Sequence, residues 1–596
     1  MAMKNKIIHS IIILLATLMT AEAALPEHPR LFLDTKDFKA LKKGAAKGLA
    51  SYELVKLHDL MMKNADESCE ADSLSFAPFQ GKGSGLGTIR NGLKRISSTA
   101  YAYKITGQDK YLLSSLRDIH TILEKFDWWT SERLYTIVAS EAAMALTIAY
   151  DWLFSDINAT TLADIEDFLD RHIIRNDNDA RLVAHSNTAI VNSTALICSS
   201  IATYEQNTVL KQEKIDKGIK CIREVMNILY SPDGIFPESP SYADYSNMYA
   251  ALSFIALEDN FGTDFSLPKE IGFKECGNFY TFVVGNTGNF FNYGDCNPKV
   301  HASTAIWYHA WKFNMPEILY GYRKMLDKGR YASNRLLLLA VTMARRMKTL
   351  SIQPPTGRLF YGDGVTPLVL ARTGWDRNDH YLGIKGGCPD DVGGHGHFDA
   401  GTFIYEAYGE RWITEMDHDK YDIYRPMPDS ISLGFPINNR QHNTLTVNGK
   451  THSKTGKATL LKAFDSKGRL GGSFDLTPVF SGDLKKAERT AAIIWENHLE
   501  VIDFLETGDT PARIRWTFLT KAAVSMTDDG FLLQKNGRTL KLTTDAPGAE
   551  YKTWSSNPAD YDTPFGKDEK KFNGTICGFE ITLAANSSLT ITTTLK

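Results

Sequence analysis

Gln353-Pro354-Pro355-Thr356-Gly357 divides the chain into two parts whose hydrophobic residues recur with different periods. Upstream, from Thr88 to about Lys348, the pattern is helical. Leu112, Leu113, Leu116, Ile119, Leu123 and Phe126 fall three and four residues apart, as do Ile215, Ile219, Ile222, Met226 and Leu229. The second run stops at Ser231-Pro232-Asp233-Gly234, a turn signal, and similar amphipathic stretches occupy 130–154, 160–175, 192–204, 248–258 and 333–347. No fixed-length repeat accompanies them. That favours helical hairpins wrapped into an (α/α) toroid over a regular solenoid, although a bundle would show the same periodicity. Downstream the period becomes two, as in Thr402-Phe403-Ile404-Tyr405-Glu406 and Ala512-Arg513-Ile514-Arg515-Trp516. Asn448-Gly449 and Asn536-Gly537 interrupt such runs with residues that tolerate positive φ, which predicts type I′ turns and antiparallel hairpins. The expected architecture is a multidomain α+β chain, with a toroid over 24–350 followed by an antiparallel β-sandwich over 351–596. The seam between two such layers is a natural cleft for a long substrate.

The remaining bounds come from composition. Lys4 and Lys6, the apolar run Ile7 to Met19, and Ala21-Glu22-Ala23 read as an export signal over 1–23, too short for a membrane anchor. The mature protein is expected to be secreted across the inner membrane into the periplasm. At 596 residues the chain exceeds what one hydrophobic core serves, and its 43% apolar content is that of a folded protein. Seven cysteines without regular spacing do not define a disulfide framework, and no pairing is assigned. A net charge of −3 excludes a nucleic-acid binder working through a general basic field. An anionic partner would need cations focused at one site.

The segment richest in chemistry is Gly393-Gly394-His395-Gly396-His397-Phe398-Asp399-Ala400-Gly401, where two histidines stand among glycines just before a strand. An isolated His-x-His is more often a loop feature than a metal site. Here Trp412-Ile413-Thr414-Glu415-Met416-Asp417 adds carboxylates and Arg440-Gln441-His442-Asn443-Thr444-Leu445 adds a third imidazole opening a hairpin. Two imidazoles and a carboxylate suit zinc.

The run from Arg372-Thr373-Gly374-Trp375 through that loop to His442-Asn443-Thr444-Leu445 resembles the β-domain signature of heparinase II/III enzymes. The helical half adds His185-Ser186-Asn187-Thr188-Ala189-Ile190-Val191-Asn192 and Pro237-Glu238-Ser239-Pro240-Ser241-Tyr242-Ala243-Asp244-Tyr245, and Leu25-Pro26-Glu27-His28-Pro29-Arg30-Leu31 resembles the start of many relatives. The first of these lacks the family's usual Trp-Asn pair. The resemblance implies a polysaccharide lyase that cleaves a uronic-acid-containing, glycosaminoglycan-like polymer by β-elimination. It further implies a structural zinc held by His397, Glu415 and His442. Since the family usually places Asp where this chain has Glu415, Asp417 is a second choice for the carboxylate.

β-Elimination requires neutralising the uronate carboxylate, removing the C5 proton and protonating the leaving O4. His185, helped by Asn187, is the candidate for the first task. Tyr242 is assigned as the acid, and as base for one C5 epimer, because a neutral phenol needs no pKa shift to donate; His395 is the base for the other epimer. Tyr245 is placed in substrate binding. Blander readings exist: His185 and Asn187 as helix caps, Tyr242 and Tyr245 as packing residues, Trp128 and Trp129 as packing rather than sugar-stacking residues, Arg90 and Arg95 as a solvated face. Two other functions compete: a glycoside hydrolase using Glu238 and Asp244, and a non-catalytic glycan binder. The expected partner is an acidic polysaccharide or oligosaccharide, without nucleic acid or membrane insertion.

Overall fold

The structure is a computed structural model that describes residues 24–45, 51–76, 84–129, 135–176, 182, 186–230, 232–347, 350–417, 423–424 and 427–596. The export segment expected at 1–23 lies outside the described residues. No helix among them is long and apolar enough to cross a membrane.

Helices pack mainly on their chain neighbours, as short connections require. Ser84–Thr106 contacts Asp109–Trp129 and Tyr135–Trp152, and Asn187–Ala202 contacts Tyr135–Trp152, Thr208–Leu229 and Pro240–Phe261. The last helix, Leu337–Arg346, returns to Tyr52–Glu70, bringing the end of the helical half back to its beginning in a toroid. Asn187–Ala202 is buried at every position except Thr188, and most of Pro240–Phe261 is buried as well. Helices with no charged, solvent-facing stripe along most of their length belong to the interior. The chain start is tied in by buried Asp151, whose carboxylate accepts from the backbone N–H of Arg30 and Leu31 and from His28 Nδ1 at 2.6 Å.

All strand pairings in the second half are antiparallel, in sheets of five, eight and four strands. The five-stranded sheet, opening with Leu359–Gly362 and ending with Glu410–Ile413, joins the halves. Leu368, Leu370, Tyr381 and Ile404 belong to the core of the helices, whereas Val369, Ala371, Leu382, Ile384, Phe403 and Tyr405 belong to the sandwich core. The two-residue alternation of a strand thus feeds two cores from one sheet.

Both Asn-Gly pairs have positive φ at each residue. Asn536-Gly537 joins Gly530–Lys535 to Arg538–Thr544 in a hairpin. Asn448-Gly449 makes a turn, with Lys450 N donating to Val447 O, but among the described strands Leu445–Val447 pairs only with Ala512–Thr520. The expected hairpin after His442 is therefore corrected to a single short strand leaving into a loop, because the following residues find partners other than a ladder. None of the seven cysteines, all among the described residues, is joined in a disulfide.

Candidate functional site at the seam

A cavity of about 1490 Å³ opens where the helical half meets the loop that carries the histidines. Asn187, Tyr242 and Tyr245 line it from the inner helices, and His395 from the β half. The structure therefore gathers four residues separated by up to 208 positions in the chain (395 minus 187). His185 lies outside the described residues.

Local backbone explains how each side chain arrives there. Tyr242 and Tyr245 stand in the first turns of Pro240–Phe261, a helix whose proline occupies N1, where its missing N–H costs nothing. The preceding Ser239 has φ 151° and ψ 170°, a region that costs a non-glycine residue about 1–3 kcal/mol. That strain sits between Glu238 and Tyr242. In the histidine loop, a Cβ on Gly396 would meet the Pro389 backbone at 2.3 Å, so only glycine lets the chain run from His395 to His397 here. Gly294, at φ +55°, passes close to the carbonyls of both Glu238 and His395 and places Asp295 between the halves.

Tyr242 and His395 are in contact, with ring centroids 4.5 Å apart and planes tilted by 50°. His395 Nδ1 is 2.9 Å from Asp295 Oδ2, and its Nε2 is 3.9 Å from Glu238 Oε2. Glu238 also accepts from Asn187, at 3.0 Å from the backbone N and 2.5 Å from Nδ2. Asn187 is thus held at the cavity wall with one amide proton already engaged. Burial, reinforced by Asp295 and Glu238, pushes the Tyr242 phenol above its ordinary range, so its hydroxyl keeps its proton. Burial alone would lower the His395 imidazolium, but the Asp295 hydrogen bond and the Glu238 and Asp295 charges outweigh it and the net shift is upward. Burial also raises the Glu238 carboxyl.

Behind His395, Asp399, Glu415 and His442 form a buried group whose potential ligand atoms all lie within 4.8 Å of one another, a set able to hold a metal ion. Glu415 Oε2 is 2.7 Å from His442 Nδ1 and also accepts from Thr402 Oγ1 at 2.9 Å. His397 stands beside this group, its ring 5.4 Å from that of His442. His397 Nδ1 and His442 Nε2 are both buried without a hydrogen-bond partner, the state expected of nitrogens shaped to receive a cation. Asp417 lies outside this group, with its Oδ2 3.4 Å from Lys521 Nζ. Asp399, two positions after His397, was not singled out in the sequence, although residues two apart on an extended chain share a face. Lys385 lies 2.5 Å from its carboxylate.

The loops carrying these groups are pinned from below. Buried Arg489, paired with Asp503 at 2.7 Å, donates through Nη1 to the carbonyls of Gly401 and Asn443, both at 3.0 Å. Asn443 donates to the carbonyls of Phe403 and Thr414 at 2.7 Å and accepts from Leu519 N at 2.6 Å. The asparagine after His442 thus stitches three segments together.

On the helical side, Tyr245 donates its hydroxyl to Glu141 Oε1 at 3.0 Å, so its ring face rather than its hydroxyl is what it presents. Arg90 lies in this cavity wall, whereas Arg95 is buried against Asp118 and serves the fold. Asp295, Glu141 and Arg335 carried no sequence signal beyond residue type, since each acquires its role only from neighbours distant in the chain.

No family model matches the sequence, and no curated protein matches it. Solved structures do. The structure "Crystal Structure of Heparinase III" superposes with a TM-score of 0.64 at 14% identity, covering 94% of this chain and 89% of that one. The heparan sulfate lyase HepC from Pedobacter heparinus gives 0.59 at 13% identity, covering 95% and 91%. A second heparinase III gives 0.59 at 13% identity, covering 94% and 88%. Nearly the whole described chain therefore has the heparinase III fold, a helical toroid followed by antiparallel β-sheets.

Proposed function

We propose that the protein is a polysaccharide lyase that cleaves an acidic, uronic-acid-containing glycan by β-elimination. The observation that supports this most strongly is the contact of the Tyr242 phenol with the His395 imidazole across the seam, inside a cavity large enough for a glycan. The cavity wall also matches an anion, since Arg90, Lys94, Lys299, Arg330 and Arg335 line it and Asp244 is the one carboxylate among the described lining residues. An overall net charge of −3 makes that focusing local rather than general.

In this reading Tyr242, kept protonated by its surroundings, delivers a proton to the departing O4 oxygen. His395, aimed by Asp295, takes the C5 proton, and the phenol that keeps its proton serves as acid rather than as base for the other epimer. His185 and Asn187 neutralise the uronate carboxylate, with Asn187 fixed by Glu238; Tyr245 contributes to substrate binding through the wall it helps build. Glu238 engages both oxygens with Asn187, which leaves it poorly placed as one of the two free carboxyl groups a hydrolase needs.

Asp399, Glu415 and His442, whose ligand atoms converge, suit a structural zinc, and the unpartnered nitrogens of His442 and of His397 beside them support it. Zinc bound there would cross-link the histidine loop to the sheet rather than act on substrate. His397 reaches back to Asp295, so stiffening this loop also steadies the carboxylate that aims His395.

The proposal is tested by incubating the protein with heparan sulfate, chondroitin, hyaluronan and alginate while following ultraviolet absorbance and chain length. Growth of the unsaturated-uronate chromophore with chain shortening on at least one polymer is expected. Shortening without the chromophore would establish hydrolysis, and binding without shortening a non-catalytic role.

A further inference from the structure

Glu141 is fully buried, yet two arginines approach it: Arg90 Nε at 2.8 Å from Oε1, and Arg335 Nε at 2.9 Å from Oε2. The hydroxyls of Tyr245 and Tyr249 also donate to this carboxylate. Burial opposes its ionisation, but Arg335 and Arg90 outweigh that and hold its carboxyl at about 2. The carboxylate is therefore charged throughout the physiological range and balances one guanidinium. Among the described residues the second has no carboxylate of its own within ion-pair distance, although the Asp244 carboxyl across the cavity also acts on Arg335. Both guanidinium groups also lie over the Tyr245 ring, at 4.9 Å for Arg90 and 5.0 Å for Arg335.

Four separate elements supply these groups: the helices Ser84–Thr106, Tyr135–Trp152 and Pro240–Phe261, and Arg335 just before the last helix. A pairing needed only to pin helices would be complete with one arginine. A second like charge beside the first adds repulsion, which has a compensating use only if an anion arrives. The pair faces the cavity, where a third of the Arg90 side chain remains exposed and Lys94, Lys299 and Arg330 add to the field. Tyr245 follows Tyr242 by three residues, about 4.5 Å along the helix axis, so the ring that carries the two guanidinium groups shares a cavity wall with Tyr242.

We infer that Arg90 and Arg335, held on Tyr245 by Glu141, form an oxyanion subsite. It takes a second acidic group of the polymer, apart from the carboxylate of the uronate being cleaved. This rests on the lyase reading and names its substrate more closely: the ligand is a planar carboxylate or a sulfate ester next to the reacting sugar, groups that match the donor fork of a guanidinium. Glu141 acts here as a positioning residue.

The test compares wild type, Arg90→Gln and Arg90→Lys on heparan sulfate and on the same polymer after chemical desulfation. Arg90→Lys keeps the charge that balances Glu141 and loses the fork, so it carries the test should Arg90→Gln fold poorly. KM is expected to rise about 10-fold or more in Arg90→Gln, and by less in Arg90→Lys, with kcat within about threefold of wild type. A rise confined to the sulfated polymer assigns the ligand as a sulfate ester; an equal rise on both assigns a carboxylate. Unchanged KM on both polymers overturns the subsite. Should wild type cleave neither these polymers nor chondroitin, hyaluronan or alginate, the lyase reading fails by itself, and calorimetric titration with inorganic sulfate and with the intact polymers decides the subsite separately: weaker binding by Arg90→Gln upholds it and equal binding overturns it.

Discussion

Asp295 presents one carboxylate oxygen to each of two histidines, Oδ2 to His395 Nδ1 at 2.9 Å and Oδ1 to His397 Nε2 at 3.1 Å. One side chain thereby ties the imidazole facing the cavity to the imidazole beside the metal-competent group. Asparagine could accept at one histidine only. Asp295→Asn is expected to lower kcat about 10- to 100-fold, the range found when partners behind metal ligands are altered. Steady-state kinetics on the polymer that wild type cleaves checks this, with circular dichroism confirming the fold; wild-type kcat in a folded variant would remove Asp295 from the account.

Tyr242→Phe removes one oxygen and leaves the ring that packs on His395. Loss of the proton donor is expected to reduce kcat about 10²- to 10⁴-fold with KM nearly unchanged. A variant retaining more than about a tenth of wild-type kcat would show that another group protonates the leaving oxygen.

Metal content is measurable without any substrate. Emission spectrometry on the purified protein is expected to find zinc near one equivalent per chain, reduced to a small fraction in His442→Ala and in His397→Ala. Chelation should lower the melting temperature of wild type, since a ligand bound only by the native state stabilises it. Wild type that holds no metal and melts unchanged after chelation would return these histidines to a purely packing role.

Asp244 gives a pH test of opposite character. Burial raises its carboxyl from 3.8 to about 6, and one of its oxygens has no hydrogen-bond partner. A folded-state value above the unfolded one means the neutral form is favoured by folding: the contribution is fully present below about pH 4 and is lost as pH rises through about 6. Above that, the ionised group weakens the fold by about 3 kcal/mol. Asp244→Asn should therefore melt higher than wild type at pH 8 and close to it at pH 4. Calorimetry at both values decides it, and an equal difference at both would mean that ionisation is not the cause.

Periodicity made the two halves legible because burial acts on every residue of a helix or strand: the runs around Leu112 and Ile215 became the helices Asp109–Trp129 and Thr208–Leu229. The Pro-Glu and Gly-His segments could be read as a site because each carries several reactive side chains within a few residues. Asp295, Glu141 and Arg335 could not. Each is a single charged residue whose meaning depends on what folding brings opposite it, from 100 residues away for Asp295 and His395 and 194 for Arg335 and Glu141. Asn448-Gly449 shows the converse limit. Its dihedral preference was sufficient to make the turn, but strand pairing beyond it was decided by longer-range contacts with Ala512–Thr520.

Mass spectrometry of the cleavage products tests the central claim most directly. Elimination moves a proton within the substrate and adds nothing, so the fragment masses should sum to the mass of the intact oligosaccharide, with the unsaturated ring at the new non-reducing end. Fragments whose masses sum to that of the substrate plus one water would mean hydrolysis and would contradict the roles given to Tyr242 and His395.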